Sequence, residues 1–311
     1  VQKNHLLHRS DWHPQDFLIG LDHAVADGDG RLDGEFGLRQ CGHEQMRIIR
    51  TAHRGEGRPL VLVHGWPLSG ESFAGNIPVF ADAGYRVIAY DRRGFGKSDK
   101  PADGYDYDTL ADDLKSLLDE LDLDGAVLLG FSMGGGEVAR YFGRHGSHRV
   151  AGAIFSGSIA PALCITDDNP DGAMPMDGFQ GMADQARDDR DNFLEQFVGW
   201  FYSTEEGGLQ VDDDVRAKGL EIAKQSDPSA AAETILIWAT DLREDCRRID
   251  VPTLVIHGDG DINVPMAKSS QRMPEYVKDA RLHVIQGGPH GANDSHADEW
   301  NNAILDFLKT L

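Results

Sequence analysis

The sequence predicts an α/β fold in which a mostly parallel sheet is covered by helices. From Met46 onward, short apolar strands alternate with amphipathic stretches, and this order of elements builds such a sheet. Glycine-rich segments also directly follow three of the apolar stretches, at 130–134, 258–260 and 287–291. Loops at the carboxyl ends of parallel strands are where this class of fold places its ligands.

The predicted elements follow from the spacing of the apolar residues. Strands are predicted at 47–51, 60–64, 86–90, 126–130, 150–156, 253–257 and 282–285. Helices are predicted at 69–83, 107–121, 133–145, 265–273 and 294–311. The helix at 107–121 is the clearest, because its leucines form one apolar stripe that we expect to pack on the sheet.

The alternation is interrupted once, by an interval that is rich in Asp, Gly and Met and has helical periodicity. We therefore expect a core formed by 46–156 and 251–311, with a mainly helical lid inserted at 157–250. The best lid helix is predicted at 182–202, where phenylalanines recur every four residues. Those aromatic side chains can form the core of the lid itself or face a substrate.

Residues 1–45 are predicted to be an N-terminal extension of uncertain structure. They show little periodicity and no recognisable strand, and the α/β pattern begins directly at Met46. The stretch 27–33 resembles part of a calcium loop. It lacks the first ligand and the closing glutamate, so the sequence does not predict a calcium site there.

Composition excludes several classes of function. The chain has 311 residues, of which 52 are acidic and 30 basic, and its formal charge of -22 repels nucleic acid and anionic membranes. No apolar run approaches the roughly 18–20 residues of a membrane helix, and no signal-peptide pattern is present. We therefore expect a cytoplasmic protein, with a homo-oligomer left open. Three widely separated cysteines predict free thiols rather than a disulfide framework or a metal site.

Gly130-Phe131-Ser132-Met133-Gly134 is a G-x-S-x-G motif between a predicted strand and a predicted helix. In that context it is typical of the nucleophile elbow of the α/β-hydrolase fold, where a sharp turn lifts the serine hydroxyl clear of the sheet. The glycines are needed because a side chain there would collide with the adjoining backbone. Ser132 can alternatively be only a helix N-cap, but the preceding strand favours its assignment as the nucleophile.

A serine nucleophile needs a base, and the base needs a carboxylate that fixes its tautomer. In this fold the acid and then the histidine follow the serine along the chain. His290 is the predicted base and Asp261 the predicted acid, since both lie on loops after late strands. Asp259 is the alternative acid, although its place in the turn suits hydrogen bonds to turn amides. His257 is the alternative base, but it ends a strand and precedes the acid, so we expect it to be structural.

Backbone N–H groups that stabilise the oxyanion are predicted at Met133, directly after the nucleophile, and at Trp66, which follows an early strand and a glycine. We expect the substrate to contact Trp66, Phe131, Trp200 and Val264. Because these side chains are apolar or aromatic, the pocket is predicted to take small or aromatic esters. The sequence contains no cluster of metal ligands, and no cofactor is predicted.

Several segments together resemble the cofactor-free bacterial haloperoxidases and related aryl esterases. They are residues 64–69 (HGWPLS), 91–98 (DRRGFGKS), 130–141 (GFSMGGGEVARY), 251–259 (VPTLVIHGD) and 288–291 (GPHG). The resemblance implies an esterase without metal or haem, with Ser132, Asp261 and His290 as its triad and with Trp66 and Met133 as oxyanion donors. It also implies that hydrogen peroxide can replace water, giving a peracid that oxidises halide in solution. It does not imply a particular substrate.

The predicted function is therefore that of a serine carboxylic-ester hydrolase, acting through an acyl-enzyme. Perhydrolase, lactonase and amidase activities use the same groups and remain alternatives. Haloalkane dehalogenases and epoxide hydrolases of this fold are disfavoured, because they carry an aspartate at the position of Ser132. A non-catalytic ligand receptor on the same scaffold is disfavoured because all three triad residues are present.

Overall fold

The computed structural model describes residues 25–26, 32–39 and 46–311, and its account of side chains begins at Arg54. The core of the calcium-like stretch, residues 27–31, lies outside the described residues. The strands are β1 (Val25–Ala26), β2 (Leu32–Arg39), β3 (Met46–Arg54), β4 (Pro59–Val63), β5 (Arg86–Tyr90), β6 (Ala126–Phe131), β7 (Val150–Ser156), β8 (Ser203–Thr204), β9 (Gly208–Leu209), β10 (Thr253–Gly258) and β11 (Ala280–Ile285).

The helices of the described chain lie between or after these strands. They are α1 (Ile77–Asp82), α2 (Tyr107–Glu120), α3 (Met133–His145), α4 (Met176–Asp188), α5 (Arg190–Phe201), α6 (Asp213–Lys224), α7 (Pro228–Leu236), α8 (Arg243–Arg247), α9 (Ala292–Ser295) and α10 (Ala297–Leu308). Among them, none combines the length and the apolar character that crossing a membrane requires.

One sheet organises the described chain, with the strand order β1-β2-β3-β5-β4-β6-β7-β10-β11. The strands from β5 to β11 in this order are all parallel, while β1, β2 and β3 form an antiparallel edge. All seven predicted strands are present, with bounds that differ by a few residues. The predicted α/β-hydrolase fold, a mostly parallel sheet flanked by helices, is therefore confirmed.

Two strands lie within the N-terminal segment whose structure the sequence left uncertain. The strand β2 pairs with β3 from Leu32 opposite His53 to Arg39 opposite Met46, and β1 pairs with β2 in turn. The sequence of β2, LDGEFGLR, does alternate apolar and polar residues. Two glycines dilute that period-two signal, because glycine weakens a strand and adds no side chain to the pattern.

The buried side chains lie on the central strands of the sheet and on the helices that cover it. The central strands β4 and β6 are covered on both faces, as parallel strands require, and nearly all their side chains are buried. The predicted leucine stripe of α2 is buried as expected, at Leu110, Leu114, Leu117 and Leu118. This helix packs beside α3, whose first residue directly follows the serine of the motif. The sheet and these two helices thus form a rigid support for the turn at Ser132.

Three predicted helices outside the interval between β7 and β10 are shorter or divided in the structure. The predicted helix at 69–83 is a 3-10 turn (Gly70–Phe73) followed by α1. A proline lies in the first turn of α1, where a helix tolerates a residue without an N–H. The predicted helix at 265–273 consists of 3-10 turns only, and a proline lies within the second. The C-terminal helix breaks at His296, between α9 and α10.

Five helices and the β8–β9 ribbon occupy the interval between β7 and β10. The helix predicted at 182–202 is two helices, since α4 ends at Asp188 and α5 begins at Arg190. The residue between them, Asp189, has φ −143° and ψ 61° and so leaves the helical conformation. Aspartate is a poor residue for a helix interior, and this break lies in a run of charged residues.

Candidate active site

Ser132 lies in the turn between β6 and α3, in a conformation with φ 54° that side-chain-bearing residues rarely adopt. A Cβ atom on Gly130 would lie 2.5 Å from the Gly134 carbonyl oxygen, and one on Gly134 would lie 2.3 Å from the Val63 carbonyl oxygen. Only glycine therefore fits at positions 130 and 134, two residues before and two residues after the serine. Ser132 occupies the N-cap position of α3, but its side chain makes no capping hydrogen bond, so its hydroxyl is available to another partner.

That partner is His290, on the loop after β11. Its Nε2 atom lies 2.9 Å from Ser132 Oγ, and its Nδ1 atom lies 2.6 Å from Asp261 Oδ2. All three side chains are buried. The imidazole ring packs against the rings of Phe131 and Phe201, with centroids 5.2 and 5.0 Å away. The structure thus joins the three predicted side chains in one hydrogen-bonded chain.

The carboxylate of Asp261 is held by its own turn as well. Its Oδ1 atom accepts hydrogen bonds from the backbone N–H groups of Asn263 (2.9 Å) and Val264 (2.8 Å). Burial raises the pKa of Asp261, but the charge of His290 and hydrogen bonds from two histidines outweigh burial and hold that pKa well below its usual value. The alternative acid, Asp259, is exposed and accepts from the Gly287 N–H at 2.6 Å.

His257 lies on the other side of the same carboxylate, a contact that the sequence analysis missed. Its Nε2 atom is 2.9 Å from both Asp261 Oδ2 and the Val264 carbonyl oxygen, and its Nδ1 atom is 2.6 Å from Ser270 Oγ. Because Nε2 faces two acceptors, it carries the ring proton, while Nδ1 accepts from Ser270. The only signal in the sequence was a histidine four residues before the acid.

Trp66, a predicted oxyanion donor, follows β4 and is buried. A Cβ atom on Gly65 would lie 2.7 Å from the Phe131 ring and 3.0 Å from Ser132 Cβ, so glycine lets this loop approach the nucleophile. The indole of Trp66 points its N–H to the Ala231 carbonyl oxygen at 2.9 Å. Met133, the other predicted donor, is the fully buried first residue of α3.

A buried polar network supports the Trp66 loop. The Arg92 backbone N–H donates to His64 Nε2 at 2.9 Å, and its guanidinium donates to the His64 carbonyl oxygen at 2.7 Å. The Nε atom of Arg92 also bonds Glu137 Oε2 at 2.7 Å, and the Tyr90 hydroxyl donates to the other oxygen of Glu137. Burial and the charge of Arg92 lower the pKa of His64 well below its usual value. The network therefore holds a neutral His64 immediately before Gly65.

Beside Ser132 lies a cavity of about 160 Å³. Of the predicted substrate contacts, Trp200 and Val264 line it, whereas Trp66 and Phe131 do not. Trp66 packs against the lining residue Phe197, and Phe131 packs against Phe201. Most of the lining was not predicted, because nine of the thirteen lining residues lie within the interval between β7 and β10, where the sequence does not show which side chains face inward. The lining residues are Ser132, Ile159, Leu163, Ala173, Met174, Phe179, Met182, Phe197, Trp200, Trp238, Ile262, Asn263 and Val264.

Comparison with known proteins identifies the family of this chain. Residues 58–297 match the family model for the alpha/beta hydrolase fold. The chain belongs to the α/β-hydrolase family. A Synechocystis protein provisionally named a non-heme chloroperoxidase is 43% identical over 256 residues, which cover 82% of this chain and 92% of that protein.

Two further relatives of this α/β-hydrolase extend the comparison. The bifunctional esterase/perhydrolase of Acinetobacter calcoaceticus is 34% identical and covers 79% of this chain and 90% of its own. The crystal structure of a bromoperoxidase from Bacillus anthracis superposes with a TM-score of 0.85 at 39% identity, covering 89% of this chain and 99% of that one. The predicted resemblance to cofactor-free haloperoxidases and esterases is thereby confirmed.

Asp294 introduces a pH dependence close to the His290 loop. Burial raises its pKa to about 6, although the Tyr202 hydroxyl, 2.8 Å from Oδ2, opposes the shift. Tyr202 in turn packs against this loop, since a Cβ on Gly291 would lie 2.6 Å from its ring. The native state binds this proton more tightly than the unfolded chain does, so the stability from this group is complete at low pH and is lost as the pH rises through about 6.

We therefore expect Asp294→Asn to stabilise the α/β-hydrolase at pH 8, by about 1–2 kcal/mol, because the amide oxygen still accepts from Tyr202 and no charge is buried. At about pH 4 the gain should vanish, since the native carboxyl is already protonated there. Urea unfolding at both pH values measures the difference. An equal gain at both values, or a loss at pH 8, would contradict this assignment.

Proposed function

We propose that this α/β-hydrolase is a serine carboxylic-ester hydrolase. The observation that carries the proposal is the hydrogen-bonded chain from Ser132 Oγ to His290 Nε2 and from His290 Nδ1 to Asp261 Oδ2. Because Asp261 accepts at Nδ1, the proton of the neutral ring resides there, and the lone pair of Nε2 faces the serine hydroxyl. This is the tautomer that a general base needs.

The reaction follows from this arrangement. His290 takes the Ser132 proton as the oxygen attacks the ester carbonyl, and the backbone N–H groups of Met133 and Trp66 stabilise the oxyanion. His290 then gives the proton to the leaving alcohol, which leaves an acyl group on Ser132. Water, activated by the same imidazole, hydrolyses the acyl-enzyme and restores the serine.

The cavity supports small or aromatic esters as substrates. Its volume of about 160 Å³ and its mostly apolar lining suit a short acyl chain or a single ring. Trp200 lines this cavity and is 45% exposed, so its ring lies where the cavity meets solvent. A large alcohol group can extend past that ring into water.

A second candidate is perhydrolase activity at the same serine. The names of two relatives favour it, a bifunctional esterase/perhydrolase and a bromoperoxidase. Hydrogen peroxide would replace water in attacking the acyl carbonyl, His290 would take its proton, and the peracid would leave as Ser132 recovers its hydrogen. Lactones and amides would pass through the same acyl-enzyme.

Covalent labelling tests the proposal. A fluorophosphonate probe reacts with a serine that a neighbouring base activates, so we expect one adduct per chain, on Ser132. Peptide mapping by mass spectrometry locates it. Prior denaturation should abolish labelling, because the hydrogen bond that Ser132 donates to His290 exists only in the folded protein. An adduct on another residue, or none on the folded protein, would reject the serine mechanism.

A further inference from the structure

Apart from Ser132 itself, the cavity beside the serine has polar side-chain groups at two residues only, Trp238 and Asn263, among the described residues that line it. Within the part of the chain that the structure describes, the indole N–H of Trp238 and both amide atoms of Asn263 are buried without a hydrogen-bond partner. Both residues line this one cavity. A buried polar group without a partner is costly, and the large majority of such groups in folded proteins are satisfied. A ligand whose polar atoms form hydrogen bonds with these two residues would therefore gain the most binding free energy in this cavity.

The ring of Trp238 and the backbone of Asn263 are held in place by neighbours. The Trp238 ring packs against the rings of Trp66 and Phe197, with ring centroids 5.2 and 6.2 Å away. The backbone of Asn263 donates to Asp261 Oδ1 at 2.9 Å, so its position is tied to the predicted catalytic acid. Polar groups whose supporting shell is packed in this way lose little freedom when a ligand binds, and they are the groups that orient ligands in otherwise apolar pockets.

We propose that the preferred substrate carries a hydroxyl on its acyl group, and that Trp238 and Asn263 bind this hydroxyl. The inference rests on the proposed function, since it concerns the acyl group of the ester that Ser132 attacks. A hydroxyl accepts two hydrogen bonds and donates one. Its oxygen can accept from the Trp238 N–H, and its hydrogen can be donated to the amide oxygen of Asn263.

Other acyl groups match these two residues less well. A hydrocarbon chain leaves the indole nitrogen of Trp238 and both amide atoms of Asn263 without a hydrogen-bond partner. A keto oxygen accepts from the indole or the amide N–H₂ but gives nothing to the Asn263 oxygen. A carboxylate would bring a charge into a cavity whose lining residues include no cation, and burying an unpaired charge is the costliest choice. Of these groups, the hydroxyl is the neutral one that can accept from the Trp238 N–H and also donate to the amide oxygen of Asn263.

Paired substrates test the inference without any variant. p-Nitrophenyl 2-hydroxybutanoate and 3-hydroxybutanoate are each compared with the 2-methyl or 3-methyl ester, in which a methyl group replaces the hydroxyl at nearly equal size. After correction for spontaneous hydrolysis, we expect kcat/KM for at least one hydroxy ester to exceed that of its methyl partner by about tenfold, the effect of one or two satisfied hydrogen bonds.

Two variants then assign the preference. Trp238→Phe removes the indole N–H and Asn263→Leu removes the amide, and each should bring the ratio of hydroxy to methyl ester toward one. Met182→Leu alters an apolar lining residue and serves as the matched control, whose ratio should stay that of the unchanged protein. Circular dichroism verifies that each variant is folded.

The outcomes separate the two proposals. If the methyl esters are hydrolysed and the probe labels Ser132, but no hydroxy ester is preferred, this inference is overturned while the esterase proposal stands. It is equally overturned if the preference persists in both variants. If neither ester is hydrolysed and Ser132 is not labelled, both proposals fail.

Discussion

Replacing Ser132 by alanine should lower kcat for ester hydrolysis by about 10⁴- to 10⁶-fold, because no acyl-enzyme can form without the hydroxyl. The side chain makes no capping hydrogen bond to α3, so the protein should keep its fold. Steady-state hydrolysis of p-nitrophenyl acetate measures the loss, and thermal unfolding followed by circular dichroism shows whether the structure is retained.

Ser158→Ala is the matched control for this change. Ser158 is also buried near the elbow, and its hydroxyl accepts from the Ala160 N–H at 3.0 Å rather than facing His290. Its activity should stay close to that of the unchanged protein. If Ser132→Ala hydrolyses the ester at a comparable rate, or if both variants lose activity equally, the assignment of Ser132 as nucleophile fails.

Replacing Glu137 by glutamine should lower the free energy of unfolding by about 3–5 kcal/mol, the usual effect of breaking a buried ion pair. Burial raises the pKa of Glu137, while Arg92 and the Tyr90 hydroxyl each donate to one of its oxygens and so favour the charged form. The Arg92 side chain is only 1% exposed. In the variant, the buried charge of Arg92 is left without a carboxylate partner and without free access to water.

The same variant should lose activity as well, because Arg92 also holds His64 at the start of the loop that carries Trp66. Urea unfolding and kcat/KM are measured together. Asp306→Asn breaks an exposed pair with Lys309 and is the control, which should leave the unfolding midpoint and the activity almost unchanged. Equal stability of Glu137→Gln and Asp306→Asn would show that the network does not stabilise the fold.

Much of the architecture could be predicted because its signals are local. Strand and helix periods predict the parallel sheet, and chain order places Ser132, Asp261 and His290 at the ends of its strands. The contact of His257 with the acid could not be predicted, because the direction in which a strand-end histidine points depends on packing. The cavity residues Trp238 and Asn263 were missed for a related reason, since segments distant in sequence meet there.

Helix ends and edge strands were the least predictable elements. A continuous apolar period across 182–202 hid the break at Asp189, since one residue can leave the helical conformation without disturbing the pattern on either side. The edge strand β2 was hidden by its glycines. The break at Asp189 and the strand β2 both depend on how neighbouring elements pair or pack, which a local sequence pattern does not show.

Four donors converge on the Asp261 carboxylate: two histidine rings and the backbone amides of Asn263 and Val264. These contacts, together with the charge of His290, favour the ionised carboxylate and hold the pKa of Asp261 well below its usual value. When His290 becomes doubly protonated, it therefore keeps both of its hydrogens. In the proposed mechanism, Asp261 is therefore a fixed counter-ion, and the proton that leaves Ser132 moves no farther than Nε2 of His290.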